Sequence, residues 1–343
     1  MVNPARAEVS PCDIISAIGW AHEERFLMLI ALSVVAPVIA VIALGYGAAR
    51  RGIFSEDNVA TLNRFVFTLA APALLFRNVA LTDFPDNLSI GLWLSYYGPM
   101  LAIMALGFVL ARIVFPARAA GEYVVLGFGA CFSNTVMLGI PIILAAFGAG
   151  AGLPLFLILA FHGLLVFTTA LTCLEVATNP DFKLKDLPPK LVLAMRDQAV
   201  VMALAAGVIW NFTGLGLAAP IDRFLELLGS AAIPVALIAV GGRLAFIAIG
   251  DNLTTALFVG LFKLALMPLA VYATAHYVFA LDPLFTATIT LLSAMPTGVF
   301  TAVFAAQYQL AEAEASSTIV LTTMLSAITI SLWLTFFSPL LQA

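Results

Sequence analysis

Apolar runs long enough to cross a bilayer follow one another along almost the whole chain, and that length scale constrains the fold more than any motif does. A helix rises about 1.5 Å per residue, so a hydrocarbon core about 30 Å thick calls for roughly 20 mostly apolar residues. Ten such runs are read, at 26–46, 62–80, 92–115, 122–147, 153–176, 198–215, 224–247, 255–279, 284–308 and 317–337. With 63% hydrophobic residues, 10% charged residues and a mean hydropathy of +1.09, the composition excludes a soluble domain. No polar stretch between the runs is long enough for a separate globular unit. The fold expected is an all-α polytopic membrane protein, and its function must lie inside the bilayer.

The polar residues 1–25, with His22, Glu23 and Glu24 just before the first run, lack the short apolar core and small-residue cleavage site of a signal peptide, and read as an interfacial lead-in. Cys12 stands alone there and Cys131 and Cys173 fall within runs, so neither a disulfide framework nor a CxxC metal pair is expected. A formal charge of -4 offers no basic face for a nucleic acid. Lys and Arg set the orientation. With the N-terminus outside, the cytoplasmic connections hold Arg50, Arg51, Arg64, Arg112, Arg118, Lys183, Lys185, Lys190, Arg196 and Arg243, against only Arg6, Arg25, Arg77 and Arg223 outside. Both termini are then expected on the outer side of a plasma membrane.

The one long polar connection, with Pro180, Pro188 and Pro189, divides the runs five and five. The organisation expected is a lead-in at 1–25, a first five-helix repeat at 26–176, a cytoplasmic linker at 177–197 and a second repeat at 198–343. An odd number of spans per half inverts the second half relative to the first. "LNRFVFTLAAPALL" from Leu62 and "IDRFLELLGSAAIPVAL" from Ile221 agree with such a repeat: each has Arg-Phe followed by a proline, Pro72 and Pro234, three residues out of step.

Prolines inside spans are costly, because each removes a backbone donor and crowds the carbonyl four residues earlier, at about 3 kcal/mol in a helix interior. Lone examples such as Pro99, Pro154 and Pro268 read as ordinary kinks. Pro141 and Pro296 differ in having polar neighbours: "SNTVMLGIP" carries Ser133, Asn134, Thr135 and Gly139, and "SAMPTG" carries Ser293, Thr297 and Gly298. Irregular backbone in a membrane is tolerated where it lines a cavity. Two helices broken at Pro141 and Pro296 and crossing near the midplane aim positive half-helix ends at one point, suited to an anion. Ser133, Asn134, Thr135, Gly139, Pro141, Ser293, Pro296, Thr297 and Gly298 are therefore the candidate substrate-binding residues, with Asn134 and Thr297 expected to face one cavity.

"NTVMLGIPIILAAFG" resembles the fourth-span motif of auxin efflux carrier family transporters, and "SAMPTGVFTAVFAAQYQLAEAEASSTIVLTTMLSAITISLW" resembles their last two spans. "LGYGAARRGIFSEDNVATLNRFVFTLAAPALLF" is similar to the family's opening pair and "PIDRFLELLGSAAIPVALIAVGGRLA" to its seventh span. The resemblance covers nearly the whole chain after Phe26. It implies ten spans in two inverted repeats with broken crossover helices 4 and 9, a scaffold from spans 1, 2, 6 and 7, a mobile unit from spans 3–5 and 8–10, and a homodimer. It also implies an organic anion as substrate, such as auxin or, in the bacterial branch, malonate, with Asn134 hydrogen-bonding the carboxylate. Where the family commonly begins its sixth span with Asn-Pro, this chain has Asp197 and Gln198.

Ionisable groups inside spans are functional candidates by default. Lys263 can compensate substrate charge, or snorkel to the cytoplasmic end of its span. His162 can couple protons, or pack as a hydrogen-bonded histidine. His276 reads as interfacial, and Glu122, Glu175 and Glu226 as solvated or cap-like. Thr168, Thr169 and Thr172 can bond back to their own helix.

No HExxH, GxSxG or Walker motif is present, so neither an enzyme nor an ATP-driven pump is expected, and no cofactor is implied. A channel would show a repeated pore-lining motif or rings of one charge. The reading is a secondary transporter of a small organic anion, with a passive anion channel or uniporter, or a transporter-like sensor, as the alternative. The driving ion stays open between a proton, sodium and the membrane potential alone.

Overall fold

The computed structural model describes residues 36–82, 89–183, 185, 187–189, 196, 198–246 and 252–338. The lead-in with Cys12, His22, Glu23 and Glu24, the start of the first run, and Lys190 and Asp197 of the linker lie outside the described residues.

Within them the chain is helical: α1 Ala36–Arg50, α2 Glu56–Ala80, α3 Gly91–Val114, α4 Ala120–Cys131, α5 Thr135–Phe147, α6 Ala149–Thr178, α7 Ala199–Phe212, α8 Ala219–Phe246, α9 Leu253–Val278, α10 Pro283–Ser293, α11 Phe300–Tyr308 and α12 Glu312–Phe336. Six of them, α2, α3, α6, α8, α9 and α12, are long and apolar enough to cross a membrane, and shorter apolar helices accompany them. This is a polytopic membrane protein. The runs read at 122–147 and 284–308 are each two helices separated by a stretch of non-helical backbone.

Local chemistry sets the ends. Ser55 accepts the Asn58 amide at 3.2 Å while Asn58 accepts the Ser55 amide at 3.0 Å, a reciprocal cap that starts α2. Asp282 accepts the Leu284 amide at 2.8 Å and starts α10. Gly148, at φ 67°, ends α5 in a conformation that glycine adopts without steric cost.

Pro72, Pro141 and Pro268 do not break their helices. Each follows a five-residue π-helical turn, Val66–Ala70, Thr135–Gly139 and Phe262–Leu266 respectively. The carbonyl four residues before each proline lies in that wider turn, which relieves the clash and the missing hydrogen bond. The expectation that Pro141 breaks the fourth span is corrected here: the break is at Phe132–Asn134, seven residues before the proline.

The helices pack in two groups. In one, the second half of α2 runs along α7 and the first half of α8, and the first half of α2 lies against the second half of α8. In α1 and α8, Gly45 and Gly241 bring the backbones together so closely that a methyl group on either would overlap a carbonyl of the other helix. Arg77 of α2 forms a two-pronged ion pair with Asp222 of α8, at 2.6 and 3.2 Å. Asn211 of α7 donates to the carbonyls of Val79, Ala80 and Thr82 at 3.1, 3.2 and 2.7 Å, satisfying the end of α2.

In the other group, α3 runs along α4, α4 along α6, α9 against α12, α10 and α3, and α11 against α4 and α12. Gly127 permits the closest approach of α3 and α4: a Cβ there would lie 2.6 Å from the Met104 carbonyl oxygen. Arg118, before α4, pairs with Glu314 of α12 at 2.7 Å. The groups meet where α6 faces α7 and where α5 faces α8.

Candidate functional site

The two breaks meet. Ser133 and Thr297 face each other in a single antiparallel bridge. The Asn134 amide donates to the Pro296 carbonyl at 2.8 Å, and the Gly298 amide to the Phe132 carbonyl at 3.0 Å. Backbone groups freed from a helix inside a membrane have no water to turn to, and here each break supplies the partners of the other. Gly298 is required by that contact, because a Cβ would press on the Phe132 ring and lie 3.0 Å from the Ser133 carbonyl oxygen.

Side chains fasten the crossing. The Thr297 hydroxyl donates to the Gly129 carbonyl at 2.9 Å, and its amide donates to the Thr322 hydroxyl at 3.1 Å. The Ser133 hydroxyl donates to the Ser293 carbonyl at 3.3 Å. Lys263 is fully buried and its ammonium donates to that same carbonyl, at the negative end of α10. Lys263 therefore does not snorkel.

Beside the crossing lies a cavity between the two helix groups. Ser133, Asn134, Thr135, His162 and Gly298 line it from one group, and Phe67, Gln198, Val200, Val201 and Leu204 from the other. Phe132, Phe167 and Phe300 supply aromatic wall. A second cavity is lined by Asn63, Asn134, Met137, Arg243, Val299 and Thr323 among others. Asn134 and Val299 border both. The Asn134 side chain is nearly buried and makes no hydrogen bond to any described residue, so its amide is available to whatever enters.

Of the candidate residues, Ser133, Asn134, Thr135, Gly298 and His162 share the first cavity; Ser293, Pro296, Thr297 and Lys263 hold the crossing together without lining it. Thr297 is turned away because its hydroxyl is taken by Gly129. Gly139 lies in the π-helical turn, where a Cβ would sit 2.7 Å from a methyl of Leu292, and Pro141 is buried two residues further on. His162 packs its ring on Phe132, with centroids 5.7 Å apart and planes at 16°, and both ring nitrogens lack hydrogen-bond partners among the described residues. It is not the hydrogen-bonded packing histidine expected.

Among the other polar groups, Glu122 caps the Ala119 amide at 3.0 Å and Glu226 forms an exposed pair with Arg223 at 2.7 Å. Glu175 departs from the solvated reading: it is buried and accepts a hydrogen bond from Tyr308 at 2.9 Å. His276 is exposed and stacks on Tyr272, and Thr168, Thr169 and Thr172 bond back along α6. Gln198 was legible only as a departure from the family's Asn-Pro, yet it reaches the cavity; the phenylalanine walls carry no sequence signal that separates them from ordinary core.

A family model described as "Membrane transport protein" matches residues 30–184 and 194–334. The chain belongs to that transporter family. A "Putative malonate transporter" from Rhizobium meliloti (strain 1021) is 28% identical over 297 residues, which span 87% of this chain and 92% of that protein. The "Auxin efflux carrier component 8" of Arabidopsis thaliana is 26% identical over 333 residues, spanning 81% of this chain and 89% of that protein. The auxin efflux carrier resemblance carried by the four motifs is thus the relationship that the comparisons give. The family is one of membrane transport proteins.

Proposed function

We propose that this transporter moves a small mono- or dicarboxylate across the plasma membrane by alternating access, with the substrate held beside the crossing of α4–α5 and α10–α11. The supporting observation is Asn134: a nearly buried amide with no partner among the described residues, bordering both cavities. An amide can donate two hydrogen bonds to a carboxylate without placing a full charge in the bilayer. The N-terminal ends of α5 and α11, at Thr135 and Phe300, both border the first cavity and add the favourable end of their dipoles. The relative named for malonate makes dicarboxylates reasonable first substrates to try.

In this reading the chain forms ten spans in two inverted repeats of five. The α2–α7–α8 group is the scaffold, and the group containing the crossing is the moving unit. Asn63 and Gln198 lie toward the ends of α2 and α7 that adjoin the connections bearing Arg50, Arg51, Lys183, Lys185 and Arg196, and Arg243 lies near the end of α8, so in this reading both cavities belong to the cytoplasmic side.

Asn134→Ala is expected to cost about 1.5–3 kcal/mol of binding, the range for a hydrogen bond to a charged group, or about one to two decades in dissociation constant. Asn134→Asp is expected to bind more weakly still, because a like charge faces the carboxylate. Binding of mono- and dicarboxylates to purified, monodisperse variants is the measurement. Unchanged affinity in well-folded Asn134→Ala removes the residue from the site, and with it this account of the crossing.

A further inference from the structure

Resting on the reading that the first cavity holds the substrate, we infer that His162 contacts it and that the cavity selects a singly charged carboxylate with an apolar body over a doubly charged one. Two independent observations carry this. The first is the ring itself. His162 is 6% exposed, both its nitrogens are buried with no hydrogen-bond partner among the described residues, and the residue borders the cavity. A neutral imidazole offers one donor and one acceptor, and leaving both unmet in a membrane interior is unfavourable. The donor's share of that cost is recovered when a carboxylate accepts from the ring N–H.

The second observation is the charge of the walls. Among the described residues no Lys, Arg, Asp or Glu lines this cavity; its polar side chains are Ser133, Asn134, Thr135, His162 and Gln198. Four phenylalanines, Phe67, Phe132, Phe167 and Phe300, make up much of the remainder. Lys263 is turned to the Ser293 carbonyl, and Arg243 lines the second cavity. Neutral donors can replace the hydration of one carboxylate, but each further buried charge without a counter-charge costs several kcal/mol. A second negative charge thus finds nothing to balance it, whereas an apolar substituent finds aromatic wall.

Malonate and its monomethyl ester share a skeleton and differ by one charge, so they separate charge from size. On purified full-length protein in nanodiscs, near neutral pH, monomethyl malonate and phenylacetate are expected to bind about ten-fold or more tightly than malonate. His162→Phe keeps the stack on Phe132 and should weaken both singly charged probes by about ten-fold. His162→Gln, which restores a donor and an acceptor, should recover part of the loss. Malonate binding more tightly than its monoester, failure of every probe to bind, or His162→Phe binding like the parent overturns the inference. If Asn134→Ala weakens binding while His162→Phe does not, only His162 is wrong; if neither variant changes the affinity of a probe that binds, the cavity is not the site and the reading beneath fails too.

Discussion

At the scale of single residues, the crossing separates groups that touch the cavity from groups that hold its walls. Lys263 belongs to the second kind. Its ammonium is fully buried and donates to the Ser293 carbonyl, which among the described residues also accepts from the Ser133 hydroxyl at 3.3 Å. Lys263→Met keeps the stem's volume and removes the donor, and is expected to lower stability by about 1–3 kcal/mol while substrate affinity changes less than about three-fold. Thermal unfolding in detergent, with binding measured on the same preparation, checks this; a lost affinity with unchanged melting would place Lys263 against the substrate. Asn134 was legible in the sequence because a polar triplet inside an apolar run has few purposes. Thr297 was not, because nothing local says that its hydroxyl is taken by Gly129, a residue 168 positions away. Glu175 and Tyr308 pair across 133 positions for the same reason, and the orphaned nitrogens of His162 are visible only once every neighbour is placed.

At the scale of elements, hydropathy located the apolar runs well, because burial in lipid needs little beyond length and composition. Proline was a poorer guide. Pro72, Pro141 and Pro268 sit in helices that widen by one π-helical turn, whereas the fourth run breaks at Phe132–Asn134, where no proline stands. That break exists because another chain segment pairs with it, and a nonlocal pairing leaves no periodicity to read. Glycine is the other element-scale signal. Gly241 faces the Ile42 carbonyl with no room for a methyl group, while Gly47 on the neighbouring helix has open space around it. Gly241→Ala is therefore expected to destabilise the α1–α8 contact by about 1–3 kcal/mol, the usual cost of overpacking, and Gly47→Ala to be neutral. Melting temperature and monodispersity of the two variants test the difference; equal behaviour would mean that α1 and α8 are not closely packed in the membrane.

At the scale of the whole molecule, the cavity lies between two helix groups, so transport by alternating access requires that they move past one another, whereas a fixed pore does not. The interface offers a direct test. A Cβ built on Gly163 of α6 lies 3.6 Å from the Cβ of Val201 of α7, within the range that a disulfide spans. Val201 must lose its larger side chain in any case, since one of its methyl carbons would sit 2.6 Å from that Cβ. Cysteines placed together at 163 and 201, in a background without the native thiols, should crosslink on oxidation and stop uptake, and reduction should restore it. A second pair, Gly207→Cys with Val79→Cys, joins α7 to α2 inside one group, where the corresponding Cβ separation is 3.1 Å. That pair is expected to leave uptake intact, because it ties together helices that travel as one. Uptake into proteoliposomes before oxidation, after it and after reduction distinguishes the cases: full transport by the crosslinked 163–201 protein would mean that substrate passes without relative motion of the two groups, and the channel reading would take the place of the carrier.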